Sequence, residues 1–104
     1  METYQLAFSA LGDSTRRAIF DRLADGPRAV VELAEGLPVS RPAVSQHLRV
    51  LKEAGLVVDR RAGARRLYRV NFGGLGALRS YLDRFWDRAL AEFKAAAETK
   101  EKEA

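Results

Sequence analysis

The sequence predicts a mainly α-helical chain of about five helices with one small two-stranded β-hairpin. Apolar residues recur at helical spacing along most of the chain, and one stretch near the middle alternates as paired strands do. The helix before the hairpin carries small polar residues on its outer face, and the hairpin is rich in arginine. Such a helix followed directly by a basic hairpin is typical of the winged helix-turn-helix, which binds duplex DNA.

Length and composition limit the classes of protein that this chain can belong to. With 104 residues, of which 47% are hydrophobic, it can bury one modest core. We therefore expect one domain over residues 1–98 and a charged C-terminal tail over 99–104. The start lacks a basic segment followed by an apolar run, and no apolar stretch approaches the roughly 20 residues of a membrane span, so a cytoplasmic protein without membrane contact is expected. The absence of cysteine excludes disulfides, thiolate metal sites and thiol-based sensing.

Positive charge is concentrated in one block of the sequence. Between Arg41 and Arg69 there are eight Arg and Lys against two acids, a local charge of +6 in a chain whose net charge is +4. A basic block in an otherwise slightly acidic domain favours phosphate binding, because each neutralised phosphate releases condensed counterions. A solvated surface that is merely rich in arginine is the alternative interpretation of this block.

Three helices are predicted before the basic block. The first carries an apolar stripe at the spacing i, i+3, i+4, i+7 and ends at Gly12. Asp13 can cap the second helix, which stops before Gly26 and Pro27. A shorter third helix over residues 31–35 is expected to bury Val31 and Ala34, and a turn then leads into helix four. The apolar residues of the first two helices are Tyr4, Ala7, Phe8, Leu11, Ile19, Phe20 and Leu23.

The fourth helix, over residues 40–54, is the predicted recognition helix. Ser40 is its N-cap and Pro42 lies in its first turn, where a missing N–H costs little. At about 100° per residue, an apolar face forms opposite a narrow polar face. Because Gln can pair with adenine and Arg with guanine, we expect Gln46 and Arg49 to contact base edges in a major groove. An ordinary solvent-exposed helix face is the alternative. The apolar face consists of Val44, Leu48 and Leu51.

Strand-like runs over residues 56–61 and 65–70 flank Ala62-Gly63-Ala64 and predict the hairpin, with a basic wing over 59–69. Four arginines cluster at its tip, where they can reach the DNA backbone or a narrow minor groove. These are Arg60, Arg61, Arg65 and Arg66.

A long last helix is predicted over residues 74–98. A heptad-like seam runs along it, and aromatic residues widen the apolar surface beyond what one small protomer can cover. A second copy of the chain is therefore expected to complete the burial. The seam is Leu75, Leu78, Leu82, Phe85 and Ala89, and Tyr81, Trp86, Leu90 and Phe93 widen it.

Three segments resemble the ArsR/SmtB winged-helix repressors: residues 8–23, residues 31–34, and residues 40–57 with the run Val-Ser-Gln-His-Leu-Arg-Val-Leu-Lys-Glu-Ala-Gly-Leu-Val. The resemblance implies a homodimer joined through its first and last helices, which binds double-stranded DNA at an imperfect palindrome and represses by blocking promoter access. By position it implies DNA contacts from Ser40, Arg41, Ser45, Gln46, Arg49 and the wing arginines. The candidates for the dimer interface are Tyr4, Phe8, Leu78, Leu82, Phe85, Trp86 and Phe93.

The sequence departs from the metal-sensing pattern of that family. Such members carry cysteines where this chain has residues 30–34, or Asp and His ligands on the last helix, which here lacks His. His47 has no second imidazole or thiol beside it in the sequence, so a half-buried structural role is expected for it. We expect no metal and no cofactor. The effector stays open between an apolar small molecule, a protein partner and none.

An enzyme, an architectural DNA-binding protein and a protein-interaction module are the alternatives to a sequence-specific regulator. The chain lacks a Ser, His and Asp arrangement, a glycine-rich phosphate loop and a metal-ligand cluster, so it is not expected to be an enzyme. A nucleoid-type architectural protein, which binds the DNA backbone without reading sequence, is the main alternative. A protein-interaction module that kept the fold and lost DNA binding is a third.

Overall fold

The computed structural model describes residues 3–103 as five helices and one two-stranded antiparallel sheet. This order confirms the predicted mainly α-helical winged helix-turn-helix. Within the described range, no helix combines the length and apolar character needed to cross a membrane. The elements are α1 (Thr3–Leu11), α2 (Ser14–Leu23), α3 (Val30–Ala34), α4 (Arg41–Glu53), β1 (Val57–Ala62), β2 (Arg65–Val70) and α5 (Phe72–Glu103).

Side-chain caps define where α2 and α4 begin, as the sequence predicted. The Asp13 carboxylate accepts the Arg16 backbone N–H at 3.0 Å, and the Ser40 hydroxyl accepts the Ala43 backbone N–H at 3.3 Å. The backbone N–H of Arg16 holds the pKa of Asp13 below its ordinary value of 3.8, because the hydrogen bond favours the charged carboxylate. Each cap satisfies an amide that the first helical turn leaves unpaired.

The hydrophobic core lies where all five helices and the base of the hairpin meet. Helix α4 contacts α1, α2, α3 and β1, so it occupies the centre of this arrangement. Its predicted apolar face is confirmed, since Val44, Leu48 and Leu51 are fully buried. The other buried side chains in this cluster are Ala7, Ala10, Ile19, Leu23, Leu33, Ala54, Leu56, Val57, Val70 and Leu78.

The predicted burial of Val31 in the third helix is wrong. Val31 is 44% exposed, and Leu33 is fully buried. Helix α3 begins at Val30 rather than Val31, with Ala29 as its N-cap. Leu33 and Val31 stand about 200° apart on a helix, so burying one directs the other outward.

The hairpin is joined to a third extended segment that the sequence did not reveal. Strands β1 and β2 pair from Val57 opposite Val70 to Ala62 opposite Arg65, which leaves a two-residue turn rather than the predicted three. Before α3, Arg28 forms an antiparallel bridge with Tyr68, with backbone N···O distances of 2.8 and 2.9 Å in the two directions. The inner edge of the wing is therefore hydrogen-bonded to the connection between α2 and α3.

A close backbone approach joins the start of α5 to the end of α4. The Asn71 side-chain amide donates to the Gly55 carbonyl at 2.9 Å, and the Asn71 backbone N–H donates to the Leu56 carbonyl at 2.8 Å. A Cβ atom at Gly74 would lie 1.7 Å from the Gly55 carbonyl oxygen. Only glycine fits at residue 74, because any side chain would separate α5 from this turn.

The last helix is longer at both ends than the predicted 74–98. It begins at Phe72, where the Leu75 N–H donates to the Asn71 carbonyl at 3.1 Å. It continues to Glu103, so the predicted tail is helical up to that residue, and the Thr99 hydroxyl donates to the Ala95 carbonyl at 2.9 Å. Lys and Glu are good helix formers, which accounts for this continuation. Met1, Glu2 and Ala104, which the predicted domain and tail also include, lie outside the described residues.

We predict opposite effects of alanine at two glycines of α5. Gly74→Ala should lower the free energy of unfolding by about 1–3 kcal/mol, because the added methyl group meets the Gly55 backbone. Gly76 has no atom within 4 Å of an added Cβ, so Gly76→Ala should raise the free energy by up to about 1 kcal/mol through helix propensity. Urea unfolding at equal protein concentration measures both. Equal midpoints for the two variants would contradict the packing described for Gly74.

Candidate nucleic-acid interface

The outer face of α4 is free while its inner face is buried. Ser45, Gln46 and Arg49 are exposed on it, and Ser40 and Arg41 are exposed at its start. Because the opposite side carries fully buried Val44 and Leu48, the helix cannot rotate to bury these polar groups instead. All five predicted DNA-contacting residues of this helix are therefore exposed, and Ser45, Gln46 and Arg49 lie within about 100° of one another on its outer face.

An arginine that the sequence analysis did not single out holds α3 against α2. The Arg22 guanidinium donates from Nη1 to the Leu33 carbonyl at 2.9 Å and to the Glu35 carbonyl. These carbonyls lie at the end of α3, where backbone acceptors lack partners within the helix. Arg22 thus fixes the end of α3 and the start of the turn into α4. Nothing local in the sequence distinguishes Arg22 from the other arginines of α2.

The four arginines of the wing are exposed, but they differ in their partners. Arg65 forms an ion pair with Glu32 of α3. Arg66 forms one with Asp59 across the hairpin, at 2.7 Å. Arg61 donates from Nε to the Gly63 carbonyl at 3.4 Å, and the Arg60 guanidinium has no hydrogen-bond or ion-pair partner within the described residues. The predicted cluster is therefore two arginines held by carboxylates and two without a carboxylate partner in residues 3–103.

Asp59 joins the recognition helix to the wing. Its two carboxylate oxygens lie 2.7 Å from Lys52 Nζ and 2.7 Å from Arg66 Nη1, and its side chain is only 6% exposed. Hydrogen bonds from Lys52 and then Arg66 hold the pKa of Asp59 below its ordinary value of 3.8, against the opposing effect of burial. A lowered pKa means that both ion pairs persist to a lower pH than an ordinary aspartate would allow and are lost as the pH falls through that lowered pKa.

Arg49 also has a carboxylate partner. Its Nε lies 3.2 Å from Glu53 Oε1, one turn further along α4, and both side chains are about 70% exposed. An ion pair this exposed contributes only about 0–1 kcal/mol. The guanidinium can therefore exchange Glu53 for another acceptor at little cost.

His47, the single histidine, is half-buried between the core and the free face of α4. This position agrees with the predicted structural role. In the part of the chain that the structure describes, no three His, Cys, Asp or Glu side chains come close enough to hold a metal ion.

A second exposed surface, apolar in character, runs along α5. Leu82, Phe85, Trp86 and Phe93 are between 52% and 76% exposed, and Phe8 of α1 is 41% exposed. A groove of about 720 Å³ lies along the same face. Its lining includes Leu75, Leu78, Leu82, Phe85, Trp86 and Ala89.

Three of the predicted interface residues pack within the protomer, although one of them, Phe8, is also 41% exposed. Leu78 is 6% exposed and belongs to the core. Tyr4 stacks on Tyr81 with ring centroids 4.4 Å apart, and Phe8 meets the same ring edge-on at 5.3 Å. Stacked and edge-on aromatic pairs stabilise the α1–α5 contact beyond simple burial. Five of the seven predicted residues thus remain largely exposed, namely Phe8, Leu82, Phe85, Trp86 and Phe93.

Known proteins share this architecture and much of this sequence. A helix-turn-helix domain family matches residues 11–60. The HTH-type transcriptional regulator Rv2034 of Mycobacterium tuberculosis is 62% identical over 96 residues, which cover 89% of this chain and 90% of that protein.

Two solved structures extend the likeness to three dimensions. The ArsR-like transcriptional regulator from Rhodococcus sp. RHA1 has a TM-score of 0.74 at 36% identity, covering 91% of this chain and 92% of that one. The homodimeric winged helix-turn-helix DNA-binding domain of Mb0332 from Mycobacterium bovis has a TM-score of 0.67 at 32% identity, covering 85% and 82%. Together with the free face of α4 and the basic wing, these likenesses show that the chain belongs to the ArsR/SmtB family of helix-turn-helix transcriptional regulators.

Proposed function

We propose that this protein is a homodimeric repressor that binds an imperfect palindrome in duplex DNA. The observation that carries the proposal is the free polar face of α4, held outward by fully buried Val44, Leu48 and Leu51 and flanked by an arginine-bearing wing. A helix presented in this way fits a major groove, and a wing beside it reaches the adjoining backbone. A dimer bound across a promoter blocks access to it.

Within this proposal, Gln46 and Arg49 contact base edges. Both are exposed on the same side of α4, and Glu53 holds Arg49 only weakly. Ser40, Arg41 and Ser45 lie nearer the helix start, where hydroxyl groups and a flexible cation suit phosphate or base contacts. The wing arginines supply phosphate contacts that do not depend on sequence.

The exposed apolar face of α5, together with Phe8, is proposed as the dimer interface. A monomer rarely leaves so many large apolar side chains exposed side by side. A twofold axis would place the same surface of a second copy against it, since an isologous interface is self-complementary. The homodimeric state of the Mycobacterium bovis neighbour supports this assignment.

We predict that Gln46→Ala weakens binding to an operator selectively. A duplex selected by the protein from a randomised pool serves as the operator, and a scrambled duplex of equal length is the comparison. Loss of a bidentate base contact should cost about 1–3 kcal/mol on the operator and leave scrambled DNA unchanged. Arg60→Ala is the control, because loss of a phosphate contact should weaken both duplexes together. Equal loss on both duplexes for Gln46→Ala would favour the architectural alternative.

We also predict that Leu82→Gln weakens the dimer. Leu82 is 52% exposed in the protomer and would be buried twice in a symmetric interface, so dissociation should become easier by about 100-fold. Ala91→Gln is the matched control, because residue 91 stands about 180° from Leu82 on the same helix and should leave the dimer intact. Sedimentation equilibrium over a range of concentrations measures both variants. Identical dissociation constants for wild type and Leu82→Gln would place the interface elsewhere.

A further inference from the structure

A cleft of about 280 Å³ lies between the outer face of α4 and the hairpin. Its lining combines cations and hydroxyl groups with a single carboxylate. Three of these residues, Lys52, Asp59 and Tyr68, were not among the predicted DNA contacts, although Lys52 is exposed on α4 about two turns after Ser45. The lining residues are Ser45, Arg49, Lys52, Asp59, Arg66 and Tyr68.

We propose that this cleft holds one backbone phosphate of duplex DNA and that Asp59 is the positioning residue that places Lys52 and Arg66 around it. The inference rests on the proposed function, in which α4 and the wing lie against the same duplex. It adds a phosphate site between them and assigns a role to the one acidic side chain in the cleft.

Asp59 binds two cations from different elements of the fold. Each carboxylate oxygen binds a different cation at 2.7 Å, one from the last turn of α4 and one from β2. The Asp59 side chain is 6% exposed, whereas those of Lys52 and Arg66 are 56% and 57% exposed. Asp59 therefore lies beneath two accessible cations, and each cation keeps N–H donors that the carboxylate does not use.

The lining of the cleft is positively charged overall. Arg49, Lys52 and Arg66 line the cleft with one carboxylate, Asp59, and Glu53 pairs with Arg49 from outside it, so an excess of one positive charge remains for an incoming anion. Hydroxyl groups of Ser45 and Tyr68 add neutral donors of the kind that contact DNA phosphates. Because the cleft is open and continuous with the free face of α4, a phosphate that is part of a duplex can enter it.

Asp59 has two opposing effects on DNA binding. Its charge repels a nearby phosphate, but Asp59 together with Lys52 and Arg66 carries a net charge of +1, so the group as a whole still attracts the phosphate. Its ion pairs order two long side chains, and loss of well-placed charge-assisted hydrogen bonds to phosphate should reduce affinity by about tenfold. The proposal therefore predicts that removing this negative charge weakens DNA binding, the reverse of what charge alone predicts.

The test compares two carboxylate-to-amide variants by titration with scrambled duplex at fixed salt. Asp59→Asn should weaken binding about tenfold. Glu53→Gln removes the same charge from an exposed carboxylate at the end of α4 that holds Arg49 only weakly, so it should leave binding unchanged or tighten it by about twofold. Wild-type or tighter binding by Asp59→Asn would overturn the proposal.

A double variant that lacks both cations separates an effect of Asp59 on their position from an effect on the stability of the fold. In a protein carrying both Lys52→Met and Arg66→Met, Asp59→Asn should cause no further loss of DNA affinity, because the residues through which it acts are gone. A loss that persists in this background would show that Asp59 acts through the fold and would overturn the positioning role. Urea unfolding of each variant provides the independent measure of stability.

The same titrations distinguish this inference from the proposed function. Phosphate contacts are independent of sequence, so Asp59→Asn should weaken operator and scrambled duplex by the same factor. Failure of the proposed function would instead show in the wild-type protein, as equal affinity for the two duplexes. A titration with inorganic phosphate tests whether the cleft holds a free anion instead. If it binds the wild type in an Asp59-dependent manner while DNA affinity is unaffected by Asp59→Asn, the cleft holds a free anion and the proposal is wrong.

Discussion

Burial of one face of α4 is the constraint on which the rest of the structure depends. Val44, Leu48 and Leu51 are fully buried at the place where α1, α2, α3 and β1 converge on this helix. A large-to-small substitution at such a site typically costs about 2–5 kcal/mol, so these contacts hold α4 in a single orientation. The polar face is directed outward because the apolar face has nowhere else to pack. One face of α4 therefore packs in the core, and the opposite face supplies the proposed DNA contacts.

The wing is held in place at two levels. At its base, Val57 and Val70 enter the core and the backbone of Arg28 pairs with Tyr68. Nearer the tip, the ion pairs of Asp59 and Glu32 tie the hairpin to α4 and α3. The wing therefore moves with the helix-turn-helix, which would let both contact one duplex without a separate ordering cost.

Local signals were enough to predict much of this fold. Asp13 and Ser40 cap helices by contacts only three residues away, and the spacing of Val44, Leu48 and Leu51 is visible in the sequence itself. The outer face of α4 followed from the same spacing, which is why Ser45, Gln46 and Arg49 are all exposed in the structure.

What could not be predicted depends on distant partners. Val31 and Leu33 are both apolar, and only the position of α3 against the core decides which is buried. The bridge from Arg28 to Tyr68 and the contact of Gly74 with Gly55 join segments far apart in sequence. In the sequence, Asp59 is only one of two acids within a basic block. Its contacts with Lys52 and Arg66 form once α4 and the hairpin are packed together.

The central claim is that the outer face of α4 reads DNA sequence, and the most direct test is a titration of the wild-type protein. DNA from just upstream of its own gene, and the duplex selected from a randomised pool, would each be compared with a scrambled fragment at about 0.15 M salt. We expect at least one of them to bind about a thousandfold more tightly than the scrambled fragment. Equal affinity for all three duplexes, with no sequence enriched from the pool, would contradict the claim and favour an architectural DNA-binding protein.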